Sequence, residues 1–208
     1  MQPYTVTMVI VAKTKMDGGY CYIGYDPVLK RLFRPVYRNS PCSWDWFFDF
    51  KIGFNYTFQV ISVFPCHSQL VQLPHANDDL IVASFVSEGK EESNLFSLLE
   101  HMAKNSIEEI FGQNIIEQKQ YINLQTNCPS IGILRCKSKD ITTYMNNTKI
   151  RMLINSYDLP VTSISFDLDK LALEEKEVLL LIGLGRPWSK DEVQPLKCYL
   201  LVVGQIFK

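Results

Sequence analysis

A chain of 208 residues that is 47% apolar and 21% charged can bury a core, either as one large domain or as two small ones, which excludes extensive disorder. The formal net charge of −1 neither requires nor excludes a polyanionic partner, but the charge is unevenly spread. Residues 1–73 carry seven Lys/Arg against four Asp/Glu, residues 74–117 carry two against nine, and residues 118–208 carry twelve against nine, a block pattern that points to three structural pieces.

In chain order, the first 86 residues read as strands. Tyr4 to Thr14 is rich in Thr, Val and Ile, as a strand requires. Gly18-Gly19 punctuates, and Tyr20 to Tyr25 and Leu32 to Tyr37 then flank the turn-forming Asp26-Pro27, which predicts a hairpin. Tyr56 to Phe64 alternates apolar with polar residues, and Leu80 to Val86 is a further strand. The period then changes. Leu95, Leu98, Leu99, Met102, Ile107, Ile110 and Phe111 fall at helical spacing, with Ser93 as N-cap and Gly112 as C-cap, so one helix is expected over 93–111. Strands resume at Ser130 to Cys136, Lys149 to Ile154, Val161 to Phe166, Val178 to Leu184 and Cys198 to Phe207, with a short helix possible in the polar run from Asp167 to Glu177.

Six cysteines without any C-x-x-C spacing read as reduced, mostly buried thiols of a cytosolic protein. The apolar run from Met8 to Ala12 is too short for a signal peptide, and Val178 to Leu184 is too short to span a membrane. A cytoplasmic location without membrane association is therefore expected.

Several short segments resemble one family. They are Val9 to Met16 followed by Gly18-Gly19, Cys21 and Gly24; Phe50-Lys51-Ile52-Gly53; Pro74-His75-Ala76-Asn77-Asp78-Asp79; and Leu181 to Trp188 followed by the closing strand Cys198 to Phe207. Together these span nearly the whole chain and resemble the dual OB-containing domain family. The resemblance implies a mostly-β (α+β) fold of two small OB-like β-barrels joined by a helical segment, here an N-terminal barrel over 1–90, a helical linker over 91–120 and a C-terminal barrel over 121–208. It also implies a link to nucleic acid and to bacterial defence or DNA-processing systems, with helicases or nucleases as neighbours.

OB barrels hold single strands in a cationic groove with aromatic faces on which bases stack. Lys13, Lys15, Arg34 and Arg38 interleave with Tyr22 and other aromatics in the first 40 positions, as such a groove needs, although the same pattern fits a solvated strand face over a barrel core. Arg186, beside Pro187-Trp188, is either a phosphate contact or a packed cation. In the dense aromatic run Ser43 to Phe50, the carboxylates of Asp45 and Asp49 disfavour phosphate, so Trp44, Trp46, Phe47 and Phe48 are assigned to core and a protein interface in preference to base stacking. His75 and Asp78 read as structural polar residues that pin the loop before a strand. Neither they nor Cys66-His67 offer the four close ligands of a zinc site, so no metal and no cofactor is expected.

Asp158 or Asp167 followed by Glu174 and Lys176 matches the loose order of a metal-dependent nuclease, but the surrounding run is polar where such acids usually sit on an apolar core strand. The expected function is therefore a non-enzymatic nucleic-acid-binding or adaptor subunit, favouring single strands. A pure protein-docking subunit for a larger effector ranks second, and a metal-dependent nuclease third.

Overall fold

A computed structural model describes residues 3–16, 18–37, 44–45, 47–62, 75–112, 115, 120–123, 128–172, 176–189 and 196–208. The chain is mostly β, with twelve named strands among these residues. In the first half, β1 (Tyr4–Met16), β2 (Gly19–Asp26), β3 (Arg31–Tyr37), β4 (Phe54–Ser62) and β5 (Asp79–Glu91) close a five-stranded barrel in the order β1-β2-β3-β5-β4. Strand β1 pairs with β4 through its first half and with β2 through its second, while β3 runs parallel to β5, from Arg34 opposite Asp79 to Tyr37 opposite Val82. The β2–β3 turn is built as expected on Asp26, whose carboxylate accepts from the N–H groups of Val28 and Leu29 at 2.8 and 3.0 Å.

The second half repeats this connectivity with its first strand broken in two. β7 (Ile131–Lys137) pairs with β11 (Glu177–Leu184), a 3₁₀ turn at Ser138–Asp140 bends the chain, and β8 (Ile141–Asn146) pairs with β9 (Lys149–Ile154). β9 pairs with β10 (Tyr157–Pro160), and β11 pairs with β12 (Lys197–Phe207). The parallel contact that closes the first barrel is reduced here to one bridge, Val161 with Val202, and the short β6 (Tyr121–Asn123) lies against the start of β12. The result is a three-stranded and a four-stranded sheet forming a half-closed barrel. Two left-handed asparagines, Asn147 (φ 55°) and Asn155 (φ 53°), turn the β8–β9–β10 meander.

Three expectations are corrected. The segment 93–111 is not one helix: it forms α1 (Leu95–Leu99), a 3₁₀ turn at Glu100–Met102 and α2 (Ile107–Phe111). The break has a tertiary cause, since Lys104 donates its N–H to Ile133 and accepts from Arg135, both at 2.8 Å, adding a parallel bridge to the edge of β7. Asn94, not Ser93, caps α1, while Ser106 caps α2 and Gly112 ends it at φ 77°. Val161 to Phe166 is not a strand but makes isolated bridges at Val161 and Ser163. The short helix in the polar run is α3 (Leu168–Ala172).

Three apolar clusters hold the molecule. Met8, Ile10, Tyr22, Trp44 and Phe58 fill the first barrel, and Phe111, Met152, Val178, Leu180 and Ile182 fill the second. The third lies between the halves: Val9, Val11, Ile23, Tyr25 and Leu32 of the first barrel meet Phe96 and Leu99 of α1 and Ile133, Leu179, Leu181 and Val203 of the second. Strands β1 and β11 are therefore apolar on both faces, which is why their sequences read as continuous hydrophobic runs. No helix among the described residues is long and apolar enough to cross a membrane.

Candidate nucleic-acid interface

An OB barrel takes its ligand on the outer face of its second and third strands, flanked by the loops between strands 1–2 and 4–5. In the first half that face belongs to β2 and β3. Its outward residues Ile23, Tyr25 and Leu32 are packed against the second half, and Arg34 is 4% exposed. The Arg34 guanidinium donates to the hydroxyl of Ser130, to the Ser130 carbonyl at 3.0 Å and to the Leu184 carbonyl at 3.2 Å. Burial pulls its pKa down, and Arg186 pulls the same way, while the nearby carboxylates of Asp79 and Asp78 oppose them.

Around Arg34 a buried polar joint links the halves. Asp78 accepts from the N–H and hydroxyl of Ser130 at 2.6 and 2.8 Å, and its carbonyl accepts from the Arg34 N–H at 2.7 Å. Arg186 donates to Asp79 at 2.6 Å. His75 Nε2 lies 3.1 Å from the Leu184 carbonyl, which only accepts, so Nε2 carries the proton. Burial, reinforced by Arg34 and Arg186, holds the His75 pKa well below the usual imidazole value, and the ring is neutral. The His75 to Asp79 and Leu181 to Trp188 segments thus meet in space as one joint. A small cavity of about 90 Å³ lies beside Arg34, Arg186 and Cys21.

Several of the residues expected to form a first-barrel groove are enclosed in the structure. Tyr22 lies inside the barrel, its hydroxyl donating to the Phe48 carbonyl at 2.6 Å and accepting from the Phe50 N–H at 3.2 Å, and burial raises its pKa. Lys13 is buried in an ion pair with Asp49, with its ammonium 3.7 Å from the Tyr20 ring centroid. Arg34 and the Asp79-bound Arg186 are likewise engaged in the joint. Lys15 is exposed, and Arg38 lies outside the described residues. In the aromatic run, Trp44 is 0% exposed and donates its indole N–H to the Pro35 carbonyl at 2.6 Å, Phe48 is half-buried, Phe47 is 88% exposed, and Trp46 lies outside the described residues. Trp44 belongs to the core, and among the described residues of that run Phe47 is the exposed ring.

In the second half no described element covers the equivalent face, over β9 and β10. Met152 and Ile154 point into the core, so Lys149, Arg151 and Leu153 point outward, with Asp158 and Pro160 opposite them on β10. Arg151 donates to the Asp158 carboxylate at 2.8 Å and to its carbonyl at 2.6 Å, and the Tyr144 hydroxyl donates to the same carboxylate at 2.8 Å. This pairing raises the Arg151 pKa, so the cation is secure at any working pH. Gln120 joins this patch to the next, its amide oxygen accepting from the Asp158 N–H at 3.0 Å and its own carbonyl accepting from the Leu200 N–H at 3.0 Å.

Beyond Gln120 lies an aromatic cluster. Tyr121 and Tyr199 are 5.6 Å apart between ring centroids, and Trp188, 55% exposed, is 6.1 Å from Tyr199. Two backbone bonds of 3.0 and 2.9 Å tie Trp188 to Lys197, whose ammonium sits 4.7 Å from the Tyr121 ring centroid. Trp188 lies in the loop between the fourth and fifth strands of this barrel and the exposed Asn146-Asn147-Thr148 turn lies between the first and second, the two loops that flank an OB ligand. Neither Tyr144, Arg151 nor Lys197 was singled out from sequence, because no charge run or motif marks them. For Arg151 the signal that could have found it is the alternation along β9.

As for catalysis, Asp158 is engaged with Arg151 and Tyr144, and Glu174 lies outside the described residues. Burial lifts the thiols of Cys128 and Cys136 to about 12 and that of Cys198 to about 11, so they stay protonated and inert at neutral pH. No group of three or more metal-ligating side chains occurs among the described residues.

A family model described as the dual OB-containing domain matches residues 6–205. No curated protein matches the chain. Among solved structures, one described as the crystal structure of the tetrameric p202 HIN2 is similar at a TM-score of 0.33 and 12% identity, covering 100% of this chain and 92% of that one, a likeness too slight to argue from.

Proposed function

Because the chain belongs to the dual OB-containing domain family, we propose that it is a binding subunit that holds single-stranded nucleic acid on its second barrel and works by binding rather than by catalysis. The observation that supports this is the asymmetry between two faces of like topology. The ligand face of the first barrel is buried under the second, whereas that of the second presents Trp188, Tyr199, Lys197, Arg151 and Lys149 without a covering element among the described residues. Exposed rings offer stacking at about 1–3 kcal/mol per base, and the lysines and arginine supply the phosphate term. Asp158 partly offsets Arg151, so an affinity in the micromolar range is expected.

The test is anisotropy of labelled single-stranded DNA and RNA across a salt series. Trp188→Ala should weaken binding by about 5- to 150-fold, as loss of one stacked base would. Lys197→Gln should flatten the salt slope by about one. Unchanged binding in both variants, or loss on Lys13→Gln instead, refutes the assignment.

A second reading is favoured by one observation. Phe47, 88% exposed, offers an aromatic anchor of the kind that protein interfaces use, suited to a larger effector in a defence or DNA-processing complex. In that reading Phe47→Ala abolishes co-purification of the effector and leaves oligonucleotide binding intact.

A further inference from the structure

We propose that the free edge of β8 is a self-pairing surface through which two copies of this chain form a two-fold dimer. The argument begins from the repeated topology. In the first barrel the late half of β1 pairs with β2 on one side, and its other edge is met by an extended segment of the second half: Thr14 bridges Ser163, and the Ile164 N–H donates to the Lys13 carbonyl at 3.2 Å. β8 occupies the same place in the second barrel. It pairs with β9 along its whole length, and no strand lies along its other edge among the described residues. Thr142, Tyr144, Met145 and Asn146 are exposed there.

Open edges are normally blunted by lysine, proline or a bulge. Over the corresponding span β1 has a bulge between Ile10 and Ala12 and carries Lys13 and Lys15. β8 has none of these devices. Its sequence, Ile-Thr-Thr-Tyr-Met-Asn, contains no charge, proline or glycine, and its register with β9 runs unbroken through six pairs. Such an edge accepts an extended backbone.

The same lack of charge identifies the occupant as a second copy. Across an antiparallel two-fold, residues that oppose one another must point to the same side of the sheet, so the axis passes through a residue and not between two. Centred on Thr143, the pairing sets Thr143 against Thr143, Thr142 against Tyr144, Ile141 against Met145 and Asp140 against Asn146. No like charges meet, and the pairs are the β-branched and aromatic kind that stabilise sheets. Centred one residue later, the axis would set Ile141 against Asn147, which lies in the left-handed turn. The dimer forms a continuous β10-β9-β8-β8-β9-β10 sheet with two copies of the Arg151 face on one side. The inference does not depend on nucleic-acid binding, because it concerns the edge and not the face.

The experiment is sedimentation of the full chain over a range of concentrations. The wild-type chain should show a reversible monomer–dimer equilibrium. Thr143→Lys and Thr143→Asp should each raise the dimer dissociation constant by roughly tenfold or more, since each places like charges opposite one another, and mixing the two variants should restore association. Independently of any variant, deuterium uptake at residues 141–146 of the wild-type chain should fall as concentration rises through the dissociation constant. A wild-type monomer at all concentrations, a dimer indifferent to both charges, a mixture that stays monomeric, or uptake at 141–146 that ignores concentration overturns the proposal.

Discussion

The two barrels share one strand order and differ in what covers their outer surfaces. In the first, the face over β2 and β3 is an internal wall: Ile23, Tyr25 and Leu32 lie in the inter-barrel cluster, and Arg34 is fully bonded to Ser130 and Leu184. In the second, the face over β9 and β10 meets solvent and keeps its polar groups at the surface. The lesson is that a cation beside an aromatic has no fixed meaning. Lys13 over Tyr20 and Lys197 over Tyr121 are alike as contacts, yet one is enclosed and paired with Asp49 while the other borders the exposed Trp188.

The comparison can be broken most forcefully at the joint. Arg34→Ala removes three buried hydrogen bonds, to the Ser130 hydroxyl and to the Ser130 and Leu184 carbonyls, and takes a neighbouring cation away from the buried Asp78 and Asp79, so a loss of about 3–5 kcal/mol is expected. At roughly 2–4 °C per kcal/mol for a chain of this size, the melting temperature should fall by about 6–20 °C, read by calorimetry. An unperturbed melting temperature would mean that the halves do not depend on this joint.

Next comes the pair of tryptophans. Trp44→Ala empties a fully buried site and should cost about 3–5 kcal/mol, with oligonucleotide affinity at low temperature unchanged once folded protein is counted. Trp188→Ala should do the reverse, costing less than about 1 kcal/mol of stability while weakening oligonucleotide binding. Equal effects of the two on binding would erase the distinction between the barrels.

A pH series sharpens the same contrast. In the folded chain His75 stays neutral well below the usual imidazole range, whereas in the unfolded chain it takes a proton near pH 6.5. The unfolded state therefore binds more protons as pH falls below about 6.5, and stability that is fully present above that pH is lost progressively on acidification. His75→Gln, which keeps a donor for the Leu184 carbonyl, should reduce the slope of melting temperature between about pH 7 and pH 5. An identical slope would mean that His75 is not the titrating group. The smallest effect is expected at Phe47→Ser, within about 0.5 kcal/mol by denaturant unfolding, because that ring is exposed.

How far the sequence carries can be judged from particular residues. Val-, Ile- and Tyr-rich runs, the Asp26-Pro27 turn and the motifs of the family are local or family-wide signals, and they lead to a mostly-β chain of two OB-like halves. The break at Lys104 was not legible, because its cause is the Ile133 and Arg135 backbone some thirty residues later. Nor was the broken first strand of the second barrel, which a 3₁₀ turn of unremarkable composition divides.

The burial of the first barrel's basic face was not legible for the same reason. Periodicity shows which residues of a strand share a side, but not whether that side meets water or a second barrel. By itself the sequence determined most of the strands, the Gly112 cap and the family, since these depend on neighbours in the chain. Only the tertiary structure decided that Arg34, Tyr22 and Lys13 are interior and that Trp188, Lys197 and Arg151 face outward, because burial depends on which surfaces meet, and in this chain the decisive contacts join residues about a hundred positions apart, such as Arg34 with Ser130 and Asp79 with Arg186.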